Sequence, residues 1–191
     1  EILGKGASSL VRKALHRPSS TMLAVKILNV FDKGKRDQLL RELRTLYTSQ
    51  NFPWLVAFHD CLYDEGAMYI VLEYMDGGSL ADVLQAAQLT GSSALSEAVM
   101  ARLAARVLGG LNYLHRERHQ VHRDMKPGNI LLNSRGEVKI SDFGLSAELD
   151  STKEMCATFI GTHAYMSPER LSGAPYGFAS DIWSLGVTLV E

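Results

Sequence analysis

At 191 residues, with 46% hydrophobic and 21% charged side chains, the chain can bury a core as one large domain or two small lobes. Twenty basic residues against twenty-one acidic ones leave a net charge of −1, which excludes a basic field for collecting nucleic acid. No apolar run reaches the length of a membrane span and no secretory signal opens the chain, while Glu1 in place of Met reads as an N-terminus cut from something longer. The two cysteines, Cys61 and Cys156, lack metal-ligand spacing and make no disulfide framework, which fits a reduced, intracellular protein.

The first third reads mostly as strands. "SLVRKAL" and "TMLAVKIL" are β-rich runs separated by the turn-like "HRPSS". "RDQLLRELRTLY" then places Leu39, Leu43 and Leu46 on one face at helical spacing. Two further strands are expected in "LVAFHDCLY" and "AMYIVLEYM", followed by the breaker "DGGS". Beyond it the chain turns helical. "SEAVMARLAARVLGGLNYLHRE" puts Met100, Leu103, Val107, Leu111 and Leu114 on one stripe, with Ser96 as N-cap. Short strands in "NILLN" and "EVKISDF" flank an Arg135-Gly136 turn, and "SDIWSLGVTLVE" begins another apolar helix. The expected fold is α+β and bilobal: an antiparallel, strand-rich lobe with one helix over 1–75, and a mainly helical lobe over 76–191. Met75 to Gly78 form the hinge.

Three stretches carry chemistry. "HRDMKPGNILL" fixes His122, Arg123, Asp124, Lys126 and Asn129, a five-position match expected by chance roughly once in three million start sites. Phosphoryl transfer explains the grouping. A carboxylate must orient the attacking hydroxyl, a cation must stabilise the moving phosphoryl group, and an amide oxygen must help hold Mg²⁺; Asp124, Lys126 and Asn129 fit these roles. "SDFG" follows, with Asp142 as the main Mg²⁺ ligand and Gly144 permitting a sharp turn. "LGKGASSLV" offers Gly4 and Gly6, with Ser9 where a third glycine is usual, so bare backbone can close over phosphates. By itself a glycine pair is more often a plain hairpin turn. That reading weakens because "LAVKIL" follows with Lys26 in the V-A-I-K position. Glu42, central in the first helix, is the expected partner of Lys26.

With these residues in place the chain resembles a eukaryotic protein kinase over essentially its whole length. "EYMDGGSLADVL", "NSRGEVKISDFGLS" and above all "FIGTHAYMSPERLSG" resemble the MAP kinase kinase family more specifically. Upstream kinases and p21-activated kinases usually carry Trp-Met-Ala-Pro-Glu where this chain has Tyr165 to Glu169. The resemblance implies ATP and Mg²⁺ as cofactors, a MAP kinase as protein substrate, an activating upstream kinase as partner, and a cytoplasmic or also nuclear location. It implies that Leu3, Gly4, Gly6, Val11, Ala24 and Lys26 line the nucleotide site. Leu72 would be the gatekeeper, Glu73 and Met75 would offer hinge backbone groups, and Leu131 would close the adenine slot. Ser79 or Asp82 would reach the ribose, Thr162 would bond the Asp124–Lys126 pair, and Asp181 would hold the catalytic-loop backbone. Kinase domains of this kind continue through further helices, so Glu169 is expected to lack its arginine partner. The rival readings are an upstream or p21-activated-type serine/threonine kinase and a pseudokinase scaffold; retention of Lys26, Asp124, Asn129 and Asp142 argues against the latter.

"DSTKEMCATFIGTHAYMSPE" holds the expected switch. Animal members of the family place two activating sites four residues apart, which would fall on Glu154 and Thr158. Plant members place them six apart, which fits Thr152 and Thr158, with Ser151 as a substitute for the first. The regulatory pair is therefore assigned to Thr152 and Thr158 in a plant- or alga-like relative. Glu154 is either a partial phosphate mimic or an ordinary loop charge.

Overall fold

The β-branched and leucine-rich runs of the first third zip into one antiparallel sheet. In the computed structural model, which describes residues 1–6, 9–31, 39, 43, 52–91, 95–143 and 163–191, five strands take the order β1-β2-β3-β5-β4. They are β1 (Ile2–Lys5), β2 (Ser9–His16), β3 (Thr21–Asn29), β4 (Phe58–Asp64) and β5 (Ala67–Glu73). β2 and β3 meet through a turn over 17–20, in which Ser20 adopts φ 53°, and their register sets Val11 opposite Lys26. β1 is a strand where the glycine pattern alone predicted only a loop. Conversely, the run starting at Leu55 becomes strand only from Phe58. Leu55 instead makes an isolated parallel bridge to Ile140.

The helical part holds α1 (Leu80–Thr90), α2 (Glu97–Asn112), α3 (Pro168–Leu171) and α4 (Phe178–Val190). α2 continues into a π-helical turn at Tyr113–Glu117. The stripe read from the sequence points inward: Leu103, Val107, Leu111 and Leu114 are buried, whereas Met100 is only partly so. Ser96 does occupy the N-cap position, but its hydroxyl makes no capping bond. Ser79, by contrast, forms a full capping box with Asp82 at the start of α1. β6 (Ile130–Leu132) and β7 (Val138–Ile140) form the expected short hairpin. In the first predicted helix, Leu39 and Leu43 are helical and 1% and 4% exposed; Leu46 lies outside the described residues.

One hydrophobic cluster joins the two parts, running from Leu39, Leu43, Met68 and Ile70 through Leu55 and Ile140 to Leu103, Leu111 and Leu185. Each such side chain contributes about 1.5–3 kcal/mol when fully buried. Gly109 and Gly110, mid-helix in α2, look like weak points in the sequence, since glycine there costs about 1 kcal/mol relative to alanine. The packing explains them. A Cβ at Gly109 would sit 2.4 Å from the Trp54 ring, and one at Gly110 would meet the Trp54 carbonyl at 3.2 Å. Bare backbone on α2 thus lets the segment carrying Leu55 and Val56 lie down beside β7, where Ile140 N–H donates to Trp54 O and Val56 N–H to Ile140 O, both at 2.9 Å.

Candidate active site

The loop between the π turn and β6 has no backbone ladder, so side chains must hold it. Asp181, near the start of α4 and 1% exposed, accepts the His122 N–H at 2.8 Å and the Arg123 N–H at 2.9 Å. His115 approaches the same carboxylate through Nε2 at 2.7 Å, and its ring stacks on Phe178. Burial by itself would raise the Asp181 carboxyl, but the His115 bond and the two N–H donors outweigh it and hold the group below its ordinary value. The His122 ring is fully buried. Its Nε2 donates to Ser141 O at 2.8 Å, which fixes the tautomer so that Nδ1 accepts the Asp124 N–H at 3.2 Å. Arg123 is held at φ 74°, and the Arg170 guanidinium donates to its carbonyl.

This scaffold presents three of the predicted residues together. Lys126 Nζ lies 3.1 and 2.8 Å from the two Asp124 carboxylate oxygens. Asn129 Nδ2 donates to Asp124 O at 2.6 Å and to Oδ2 at 2.9 Å. Because the amide nitrogen faces Asp124, the oxygen of Asn129 is the end left to accept from, or ligate, something else. The Asn129 carbonyl in turn takes the Ser141 N–H at 2.9 Å, tying the loop to the residue before Asp142.

Lys26 reaches this group from the sheet. It is 6% exposed in the centre of β3, between Val11 on β2 and Ile70 on β5, and its Nζ binds Asp142 Oδ1 at 2.7 Å. The expected partner, Glu42, lies outside the described residues; the partner observed is Asp142. Desolvation pushes the Asp142 carboxyl up, but the Lys26 charge and hydrogen bond, with Lys126 behind them, bring it below its usual value. Asp142 sits at φ 60°, a backbone conformation costing a non-glycine residue about 1–3 kcal/mol, here imposed at the point where the chain turns out of β7.

The remaining predicted residues line the sheet side. Leu3 and Gly4 lie on β1, with Gly4 opposite Val11, and the Gly6 N–H closes a turn onto Ser9 O at 2.8 Å. A Cβ at Gly6 would fall 2.8 Å from Ser9 Oγ, so a side chain there would have to turn the serine hydroxyl aside. Ala24 pairs with Leu72 across β3 and β5, and Leu131 bridges Ser79. The Glu73 N–H is committed to Ala57 O at 2.9 Å. Met75 is buried, and its carbonyl accepts from Gly78. Ser79 and Asp82 are occupied with one another: Ser79 N–H and Oγ donate to Asp82 Oδ2 at 2.8 and 2.6 Å. Gly144, Thr152, Glu154, Thr158 and Thr162 lie outside the described residues. Glu169, expected to lack an arginine partner, is met by a hydroxyl. It accepts from Ser180 Oγ at 2.6 Å, a bond that heads the causes lowering its carboxyl below the ordinary value.

Asp142 and Asn129 offer the hard oxygen donors that Mg²⁺ prefers. Among the described residues no cluster of three or more His, Cys, Asp or Glu could cage a metal alone. The set therefore fits an ion that completes its shell with water and substrate oxygens. A separate apolar cavity of about 690 Å³, lined by Ala164, Tyr165, Trp183, Gly186, Val187, Val190 and Glu191, contains none of these groups. Sequence reasoning missed His115 and the ion pair between Glu73 and Lys139, whose partners stand 66 positions apart in both cases. The only local signal was a histidine next to the buried stripe of α2.

A bilobal arrangement with an aspartate–lysine–asparagine loop facing a lysine–aspartate pair defines a phosphotransferase-type site. The protein kinase domain model matches residues 1–191, and the chain belongs to that family. Over its whole length it is similar to Mitogen-activated protein kinase kinase 3 of Arabidopsis thaliana, at 49% identity over 99% of this chain and 36% of the relative. It is 44% identical to Dual specificity mitogen-activated protein kinase kinase 1 of Dictyostelium discoideum, covering all of this chain and 28% of that protein. It is likewise 44% identical to Mitogen-activated protein kinase kinase SIPKK of Nicotiana tabacum, covering all of this chain and 52% of the relative. The chain thus spans between 28% and 52% of the length of these curated relatives.

Proposed function

We propose that the chain is the catalytic part of an ATP-dependent dual-specificity MAP kinase kinase, phosphorylating threonine and tyrosine in the activation loop of a MAP kinase. The observation that carries this reading is the Asp124–Lys126–Asn129 cluster facing the Lys26–Asp142 pair. The similarity to MAP kinase kinases along the whole chain narrows it to the subfamily. Asp124 would orient the acceptor hydroxyl and take up its proton. Lys126, already beside that carboxylate, would meet the charge of the moving phosphoryl group. Lys26 would bind nucleotide phosphates on leaving Asp142, and Gly4 and Gly6 would let the β1–β2 turn lie over them. Val11, Ala24, Leu72 and Leu131 would enclose the base beside Glu73 and Met75. Asp142 and Asn129 would hold Mg²⁺, which when bound supplies neutralisation of phosphate charge.

The two lobes are taken as 1–75 and 76–191. Thr152 and Thr158 are proposed as the phosphorylated pair, each adding about −1.5 to −2 charge for Arg123 to meet. The partners are a MAP kinase and an activating kinase, in the cytoplasm or also the nucleus. The test is Mg²⁺-dependent labelling of a kinase-dead MAP kinase by the full-length protein, with mass spectrometry of the modified peptide. Threonine and tyrosine phosphate in the activation loop is the expected result. Transfer only to other serine/threonine substrates would favour the upstream-type kinases, and absence of transfer would favour a scaffold. Thr158→Ala should lose activation by the upstream kinase and Thr152→Ala part of it; full activation of the double variant would overturn that pair.

A further inference from the structure

We infer that Lys139 is a positioning residue for nucleotide binding, acting through Glu73 to fix the strand end beside the base; this rests on the kinase reading above. Lys139 lies on β7, three residues before Asp142, and none of the assigned roles uses it. Its Nζ binds both carboxylate oxygens of Glu73, at 2.7 and 2.8 Å, with the two side chains 12% and 18% exposed. Glu73 is the last residue of β5, two before Met75. The same carboxylate also accepts the Ala57 N–H at 3.1 Å, while the Glu73 N–H donates to Ala57 O at 2.9 Å. Three separate segments therefore meet at one carboxylate: the end of β5, the stretch before β4, and β7.

The next residue along β7 repeats the link, because Ile140 O accepts the Val56 N–H at 2.9 Å. The chain after β5 is sewn to the same hairpin: Asp76 accepts from Ser134 N–H and Oγ at 2.8 and 2.7 Å, and the Gly77 N–H donates to Leu132 O at 3.0 Å. Of these ties, Glu73–Lys139 is the one made by opposite charges between side chains, largely out of water, where pairing is strong and removal of one partner is felt. The Asp124 cluster is held by other groups, Asp181, His122 and Asn129. Losing Lys139 should therefore displace the backbone that faces the base and leave the phosphoryl-transfer groups in place. The expected signature is weaker binding of nucleoside with turnover preserved.

The experiment measures adenosine and ATP affinity by calorimetry, together with KM for ATP and kcat, in the full-length wild type and in Lys139→Met, Lys139→Arg and Glu73→Gln/Lys139→Met. Lys139→Met should weaken adenosine and raise KM for ATP about tenfold, with kcat within about twofold. Lys139→Arg, whose fork can also grip a carboxylate with two bonds, should restore most of the affinity. The double variant should be no worse than Lys139→Met, as for two groups acting as a unit. Unchanged adenosine affinity and KM in a folded Lys139→Met protein would overturn the inference. A parallel fall in kcat and melting temperature that arginine does not rescue would do so as well, because it marks a merely structural pair. Wild-type protein that neither binds ATP nor transfers phosphate would instead overturn the kinase reading, and this inference with it.

Discussion

The sheet and the catalytic loop solve the same problem, holding a charged group still, by opposite means. In the sheet, Lys26 is placed by backbone register: eight consecutive residue pairs join β2 to β3, and seven join β3 to β5. At the outer end of the hairpin, Leu15 opposite Met22 remains largely exposed, while the register still holds. The loop over 118–129 has almost no ladder, so side chains bind its backbone: Asp181 and Arg170 from outside, His122 and Asn129 from within. A ladder tolerates substitution because its bonds are made by atoms every residue has. A loop held by side chains concentrates its stability in a few residues.

The largest expected effect is catalytic. Asp124→Asn should reduce transfer on the order of 10³-fold with ATP affinity little changed, as measured by steady-state turnover and calorimetry. Near-normal turnover would remove Asp124 from its role and with it the loop's claim to be the reacting side.

Asp181→Asn probes the loop's scaffold. Losing the charge from a carboxylate that serves two N–H groups and His115 should cost about 2–3 kcal/mol, read by denaturant unfolding. Its carboxyl titrates below the ordinary 3.8, so the folded state favours the charged form. The resulting stability is complete above that value and is lost as pH falls through the lower folded one. The acid limb of the stability profile should accordingly flatten in Asp181→Asn. An unchanged acid limb would show that this carboxylate does not carry the difference.

The helix caps sharpen the contrast within one element type. Ser79→Ala, which breaks a reciprocal capping box, should cost about 1 kcal/mol, while Ser96→Ala, whose hydroxyl caps nothing, should stay within about 0.5 kcal/mol. Equal losses in thermal melts would mean that cap position, not the bond, sets the energy. Smallest of all, Leu15→Thr on the exposed end of the hairpin should shift stability by less than about 0.5 kcal/mol. A larger loss would show that the sheet leans on side chains after all.

The same contrast explains what could be read from the chain before its fold. β2, β3, β5 and the α2 stripe were legible because hydrophobic period and backbone pairing are local properties. That Asp124, Lys126 and Asn129 belong together was legible because they stand within one short stretch, and the structure brings their side chains into contact. β1 was hidden by Gly4 within it and Gly6 just beyond, and the start of β4 by Leu55 and Val56, apolar residues that serve a bridge and the core rather than the strand. His115, Lys139 and the purpose of Gly109 and Gly110 were not legible, because each answers to a residue tens of positions away, and no local pattern encodes that distance.

The Lys26–Asp142 pair, described as an electrostatic contact, also bears on how the chain assembles. Its partners are 116 positions apart, whereas β2–β3 and β6–β7 are closed by turns of a few residues. Local hairpins lose little chain entropy on closure and form early. A contact across more than half the chain must wait until the intervening segments have already compacted. A partly folded chain can then hold native-like hairpins and a native-like α2 while its lysine and aspartate remain strangers. Turnover would return later in refolding than secondary structure does, and activity becomes the strictest measure of whether the molecule has finished folding.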